Sequence, residues 1–131
     1  MNVEEYTLGR VRWADLSKPF TAPEALYDWV LSLEVGEHIP AQYMQQFIDN
    51  IDKHSRCGVV MSWAVVGQNG HSHVNEQPNS AIIQEMQRRG YTYDEPEAMN
   101  FRNVATYPWF KNTIMVYHKK GAPSTCQSKG A

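Results

Sequence analysis

Asp28-Trp29-Val30-Leu31-Ser32-Leu33-Glu34-Val35-Gly36-Glu37-His38-Ile39-Pro40 is the stretch on which the fold turns. Trp29–Val35 is almost continuously apolar, the pattern of a strand buried on both faces; a half-exposed strand would alternate. The chain then switches to Glu34, Glu37 and His38, with Gly36 and Pro40 bracketing a loop. In open α/β sheets, ligands bind just outside the carboxyl ends of the strands.

Downstream of Pro40 the period changes to that of a helix. Tyr43, Met44, Phe47, Ile48 and Ile51 share one face, and Lys53-His54 places positive character in the last turn, where the helix dipole favours it. Cys57–Val66 reads as a second buried strand, and Gly67–Pro78 as a long polar loop holding His71 and His73. Asn79 or Ser80 is placed to cap the next helix, which buries Ile82, Ile83 and Met86 and stops at Gly90. Tyr91-Thr92-Tyr93 suits a short strand, 94–103 a short helix or loop, and Lys111–His118 a last strand. Upstream, Val11–Leu16 alternates like a short strand ended by Ser17-Lys18-Pro19, and Thr21-Ala22-Pro23-Glu24 has capping-box spacing for a short helix.

Strands alternating with helices predict an α/β domain over residues 10–120, a doubly wound and mainly parallel sheet with helices on its faces. Residues 1–9 and 121–131 lack an apolar period and are expected to be flexible. A length of 131 residues suits one domain, and a hydrophobic content of 42% suits a packed core. Net charge of −2 gives no electrostatic reason for nucleic-acid binding, and no apolar run is long enough to span a membrane. Two cysteines far apart, Cys57 and Cys126, argue against a disulfide scaffold or a cysteine-based zinc site, so the expectation is a soluble, cytoplasmic chain with an inert Cys57 and an exposed Cys126. Trp13, Trp29, Trp63 and Trp109 read as packing residues.

Three polar clusters each follow a strand: Asp15-Leu16, Glu34–His38 and Gly67–His73. The second sits in a stretch, 28–40, that resembles the fourth-strand motif of class I S-adenosylmethionine-dependent methyltransferases, a strand ending in Glu-Val-x-Glu-His. Val11–Phe20 resembles that family's third strand, Gly58–Val66 and Ser80–Gly90 its fifth strand and following helix, and Thr113–Tyr117 its closing antiparallel strand. The resemblance covers roughly residues 9–120. It implies a partial Rossmann-like fold and S-adenosylmethionine as cofactor, with transfer of its methyl group to an unidentified small-molecule acceptor. It also implies that Asp15 and Leu16 meet the adenine while Leu33, Glu34 and Val35 line the cofactor near its reactive end. In some relatives, among them quinone-biosynthesis O-methyltransferases and small-RNA 2′-O-methyltransferases, the Glu-x-x-Glu-His stretch holds a metal. Here that set would be Glu34, Glu37 and His38 around Mg²⁺ or Mn²⁺, with His71 or His73 available to complete it. Methyl transfer to a hydroxyl also gains from a base of near-neutral pKa, and His71 and His73 are the candidates. The ordinary readings stand beside these: Asp15 as a turn former, Leu16 as core, Glu37 and His38 as solvated or capping groups, and the loop histidines as surface residues.

The sequence departs from the family in one respect. Neither the Gly-rich turn of its first strand nor the ribose-binding acid of its second is present, as in an N-terminally truncated domain. The family's strand order is 3-2-1-4-5-7-6, so without strands 1 and 2 the strand Trp29–Val35 would carry an open apolar edge. Three outcomes are expected of such an edge. The third strand pairs with the fourth, a second chain or second copy completes the sheet, or the chain is marginal alone. The rival function is therefore a non-catalytic interaction module acting through that edge.

Overall fold

The computed structural model describes residues 2–127. Four strands form its sheet: β1 Tyr27–Ser32, β2 Ser55–Met61, β3 Tyr91–Tyr93 and β4 Met115–Lys119. They lie in the order β1-β2-β4-β3. β1 is parallel to β2, while β4 is antiparallel to both β2 and β3, so β4 alone runs against the other three. This is the order expected of the fourth, fifth, seventh and sixth family strands, and the α/β class anticipated from the alternation is the one observed.

The helices are α1 Val3–Tyr6, α2 Met44–His54, α3 Asn79–Arg88, α4 Glu95–Val104 and α5 Phe110–Thr113. Phe47, Ile48 and Ile51 of α2 and Ile82 and Met86 of α3 meet Val59, Met61, Tyr91, Met115 and Tyr117 of the sheet in one core, with Trp63 among them. The helical face deduced from spacing is buried at Phe47, Ile48 and Ile51 and half-buried at Met44, while Tyr43 precedes α2 and is exposed. α4 starts where Asp94 accepts a hydrogen bond from the Glu97 N–H (3.0 Å), which settles the helix-or-loop choice over 94–103. α3 begins without a side-chain cap; Asn79 instead donates to the Asn112 carbonyl (2.7 Å) and ties α3 to the end of α5.

Several expectations are corrected. Val11–Leu16 forms no strand: Asp15 accepts from the Ser17 N–H (3.1 Å) and hydroxyl (2.6 Å), closing a local turn that competes with extended pairing. No helix follows at Thr21, because Ala25 lies at φ +60° and the chain turns straight into β1. The segment between them is fastened to α2. Asn50 donates to the Leu16 (3.1 Å) and Lys18 (2.9 Å) carbonyls, and Phe20 stacks on His54, whose Nε2 accepts from the Ala22 N–H. The third strand therefore does not pair with the fourth. β1 remains the sheet's edge, and Trp29 and Leu31, expected to be buried, are 41% and 69% exposed.

β2 ends at Met61, short of Val66, and the strand placed at Lys111–His118 begins only at Met115, α5 occupying its first part. Cys57 and Cys126, expected to be apart, form a disulfide. Because β2 and β4 are antiparallel, the start of β2 lies beside the end of β4, and a turn at Gly121 (φ +72°) brings the following chain back onto Cys57. Met1 of the N-terminal segment and residues 128–131 of the tail lie outside the described residues.

Candidate functional site

The chain leaves β1 through Leu33 into Glu34, which takes a left-handed backbone (φ +53°). That kink turns both Glu34 carboxylate oxygens toward β2. Oε1 accepts from the Ser62 hydroxyl (2.8 Å) and Oε2 from the Gln68 amide (2.8 Å), while the Glu34 N–H donates to Ser62 Oγ (2.9 Å). Glu34 is thereby tied to the protein itself.

Gly36 follows, in a helical turn over Gly36–His38. A Cβ there would fall within the Trp63 indole, so only glycine lets the ring lie against this backbone. Trp63 is fully buried and donates its Nε1–H to the Asn75 carbonyl (2.7 Å). The Val74 and Asn75 N–H groups donate to the Glu37 carbonyl (2.9 and 3.0 Å), and the Gln77 N–H donates to the Ala64 carbonyl (3.0 Å). Five bonds therefore hold the long loop, three of them to Glu34 and Glu37 in the turn after β1 and two to Trp63 and Ala64 just past β2.

Glu37 lies at the centre of this arrangement. It is fully buried, and neither carboxylate oxygen has a hydrogen-bond partner. Burial pushes its carboxyl pKa up, and the charge of Glu34 adds to the effect. Two imidazoles face it. His73 Nε2 lies 3.9 Å and His38 Nε2 4.0 Å from Glu37 Oε1, with the rings edge to face at 5.0 Å between centroids. The remaining nitrogens are held in place: His38 Nδ1 by the Ser72 carbonyl (3.1 Å) and His73 Nδ1 by Glu76 Oε1 (2.9 Å). Glu76 also accepts from the Gly67 and Asn69 N–H groups (both 2.8 Å); its bond to His73, then those N–H groups, hold its carboxyl below the usual range.

The residues singled out from the sequence thus divide. Glu37, His38 and His73 converge, whereas Glu34 is taken up by Ser62 and Gln68 and His71 is exposed outside the group. Asp15 is engaged locally by Ser17 and by Lys18 at 3.3 Å. Leu16, Leu33 and Val35 line one apolar groove of about 390 Å³ with Phe47, between the open edge of β1 and α2. Ser62 and Gln68 were not foreseen. A serine inside an apolar run and a glutamine in a Gly-rich loop carry no spacing signal, and only the register Ser32↔Met61 shows that Ser62 follows the point where β1 ends.

No protein-family model and no curated protein matches the chain. Among solved structures it is similar to magnesium protoporphyrin IX methyltransferase (ChlM) from Synechocystis PCC 6803, determined with bound SAH, at 15% identity and a TM-score of 0.56. The match covers 81% of this chain and 49% of that one, so the chain spans about half the length of the structure it resembles. What the two share is a methyltransferase-like α/β fold.

Proposed function

We propose that this chain forms one side of an S-adenosylmethionine-dependent methyl-transfer site, the side that ends β1 and β2. The observation that supports it most is the likeness over 81% of the chain to a methyltransferase bound to SAH. The groove lined by Leu16, Leu33 and Val35 agrees with it, since an apolar wall at the end of a parallel strand suits the adenosyl moiety. In the reaction the bond between sulfur and methyl carbon breaks as a bond from the acceptor heteroatom to that carbon forms, and the acceptor's proton leaves. The protein's task is to hold acceptor and sulfonium in line and to exclude water. Leu16, Leu33 and Val35 would seat the cofactor, and Glu34, fixed by Ser62 and Gln68, would present a set charge beside it. Asp15 would reach the adenine only from within its turn. For the proton, His71 is the imidazole free to meet an acceptor, because His73 is turned toward Glu37.

The open edge supports a second reading. Tyr27, Trp29 and Leu31 are exposed on a strand with one free side, a surface on which a second chain or copy would complete the sheet. Thermal melts at two protein concentrations, with and without S-adenosylmethionine, separate the two. The first reading expects cofactor to raise Tm, by the equivalent of about 2.7 kcal/mol at a hundredfold excess over Kd, and Leu33→Asp to abolish the rise. A Tm that moves with protein concentration and ignores cofactor supports edge pairing and overturns the first reading.

A further inference from the structure

Three aromatic rings meet at the surface where α4 gives way to α5. Tyr107 and Trp109 lie nearly parallel, 12° apart with centroids at 4.9 Å, and Phe110 meets both edge to face. The turn that carries them is held by its own backbone. The Tyr107 carbonyl accepts from the Phe110 N–H (3.1 Å), and the Trp109 carbonyl accepts from the Asn112 N–H (3.2 Å) and the Thr113 hydroxyl (2.8 Å). Yet Tyr107 is 55% and Trp109 40% exposed. Rings fixed in orientation but left open to water form a preorganised apolar surface, the kind that marks a binding site.

The sheet places this group. β4 is antiparallel to β2 and Met115 pairs with Met61, so α5, just before β4, stands at the carboxyl end of β2. The loop leaving β2 lies across from it. Val65, Val66 and Gln68 on that side and Pro108, Trp109 and Asn112 on the other line a cavity of about 430 Å³. Tyr107, outside the cavity, packs on the indole. Gln68 also holds Glu34 at the end of β1 (2.8 Å), so the cavity adjoins the turn that carries the proposed methyl-transfer site.

The geometry points to a slot for a neutral, planar aromatic molecule, stacked on Trp109 and faced by Val65 and Val66. Its use as the methyl acceptor rests on the methyl-transfer reading; its binding does not. The walls select the class. No charged side chain is among the described residues that line the cavity, and Val66, 71% exposed, adds apolar surface to Val65 and Pro108. Gln68 has both ends of its amide engaged, Oε1 by the Val65 N–H and Nε2 by Glu34. Asn112 is then the lining side chain free to bond a ligand. A sugar would bring several hydroxyls to walls that can pair one or two, and each buried group left unpaired is costly. An aliphatic molecule would gain burial alone, whereas a flat ring also gains stacking on an indole already fixed by Tyr107 and Phe110. A hydroxyl or ring nitrogen at its edge would meet the Asn112 amide, which both donates and accepts.

The test is calorimetric titration of the full chain, without S-adenosylmethionine, with 2-naphthol, cyclohexanol and methyl glucoside. The tryptophan indole N–H resonances locate the ligand, and Trp109→Phe identifies the one that belongs to Trp109. 2-Naphthol is expected to shift that resonance and to saturate below millimolar, with cyclohexanol at least about tenfold weaker and methyl glucoside silent. Trp109→Ala should weaken 2-naphthol by about 10- to 100-fold and Trp109→Phe, which keeps a stacking face, by less than about fivefold. Val66→Asp, at an exposed position outside the core, should weaken it by about tenfold or more. Trp13→Ala, at an exposed tryptophan elsewhere, should change it by less than about twofold. Circular dichroism checks that each variant is folded. Cyclohexanol or methyl glucoside binding as tightly as 2-naphthol would overturn the proposal, and so would a Trp109 resonance unmoved at millimolar 2-naphthol. Binding lost in Leu33→Asp but kept in Trp109→Ala would place the ring in the groove beside β1 and overturn it as well. No cofactor is present, so failure here is separate from failure of the methyl-transfer reading, which the cofactor-dependent Tm decides.

Discussion

Trp63→Ala is expected to lower unfolding stability by about 4 kcal/mol, within the range of about 3–5 kcal/mol found for buried tryptophans. The indole is fully buried, lies edge to face with Phe47 (centroids 5.8 Å apart), and covers Gly36. Its removal opens a cavity between α2, the turn after β1 and the end of β2. It also leaves the Asn75 carbonyl without the Nε1–H that it accepts at 2.7 Å, an added cost of about 1–3 kcal/mol if water does not enter. The loss is not confined to the core, because the same ring supports Gly36, one residue before Glu37, and holds the loop that carries His73. Urea denaturation of Trp63→Ala should show a lowered midpoint with an unchanged slope, and Trp63→Phe should lose less. A loss below about 1 kcal/mol would mean that the site rests on other contacts.

Reduction of the Cys57–Cys126 disulfide is the second large effect. The bond closes a loop with a sequence separation of 69 residues, for which the chain-entropy argument gives about 4 kcal/mol. Its Cα–Cα distance of 5.3 Å falls within the ordinary range for disulfides. Against a total stability of about 5–15 kcal/mol for a domain, that share determines whether the chain stays folded when warm. Reductant should therefore shift the urea midpoint of the wild-type chain downward, and Cys126→Ser should show the low midpoint with or without reductant. Curves that coincide in the presence and absence of reductant would contradict the bond.

The cysteines also show what sequence reading lacks. Separation along the chain says nothing about separation in space, and Cys57 meets Cys126 only because β4 returns antiparallel to β2. The same limit explains β1. Its run of apolar residues marks a strand that can be buried on both faces, but exposure is fixed by a neighbour, and among the described residues no strand stands on that side. The helices, by contrast, were legible, since a periodic face such as Phe47, Ile48 and Ile51 is a local property that any core will use. At the site, the turn after β1 and the polar loop after β2 were recognised as adjacent because parallel strands put their carboxyl ends together. Which carboxylate faces the imidazoles was not legible. Glu34 and Glu37 are alike in type and three residues apart, and the left-handed backbone at Glu34 sends one toward Ser62 and leaves the other inside.

Isothermal titration of the full chain with S-adenosylhomocysteine tests the functional account most directly. It predicts saturable heat at one equivalent per chain, lost in Leu33→Asp and retained in Val104→Ser, an exposed position on α4 outside the groove. Absence of heat at millimolar ligand from a chain shown to be folded would contradict a cofactor site at the end of β1.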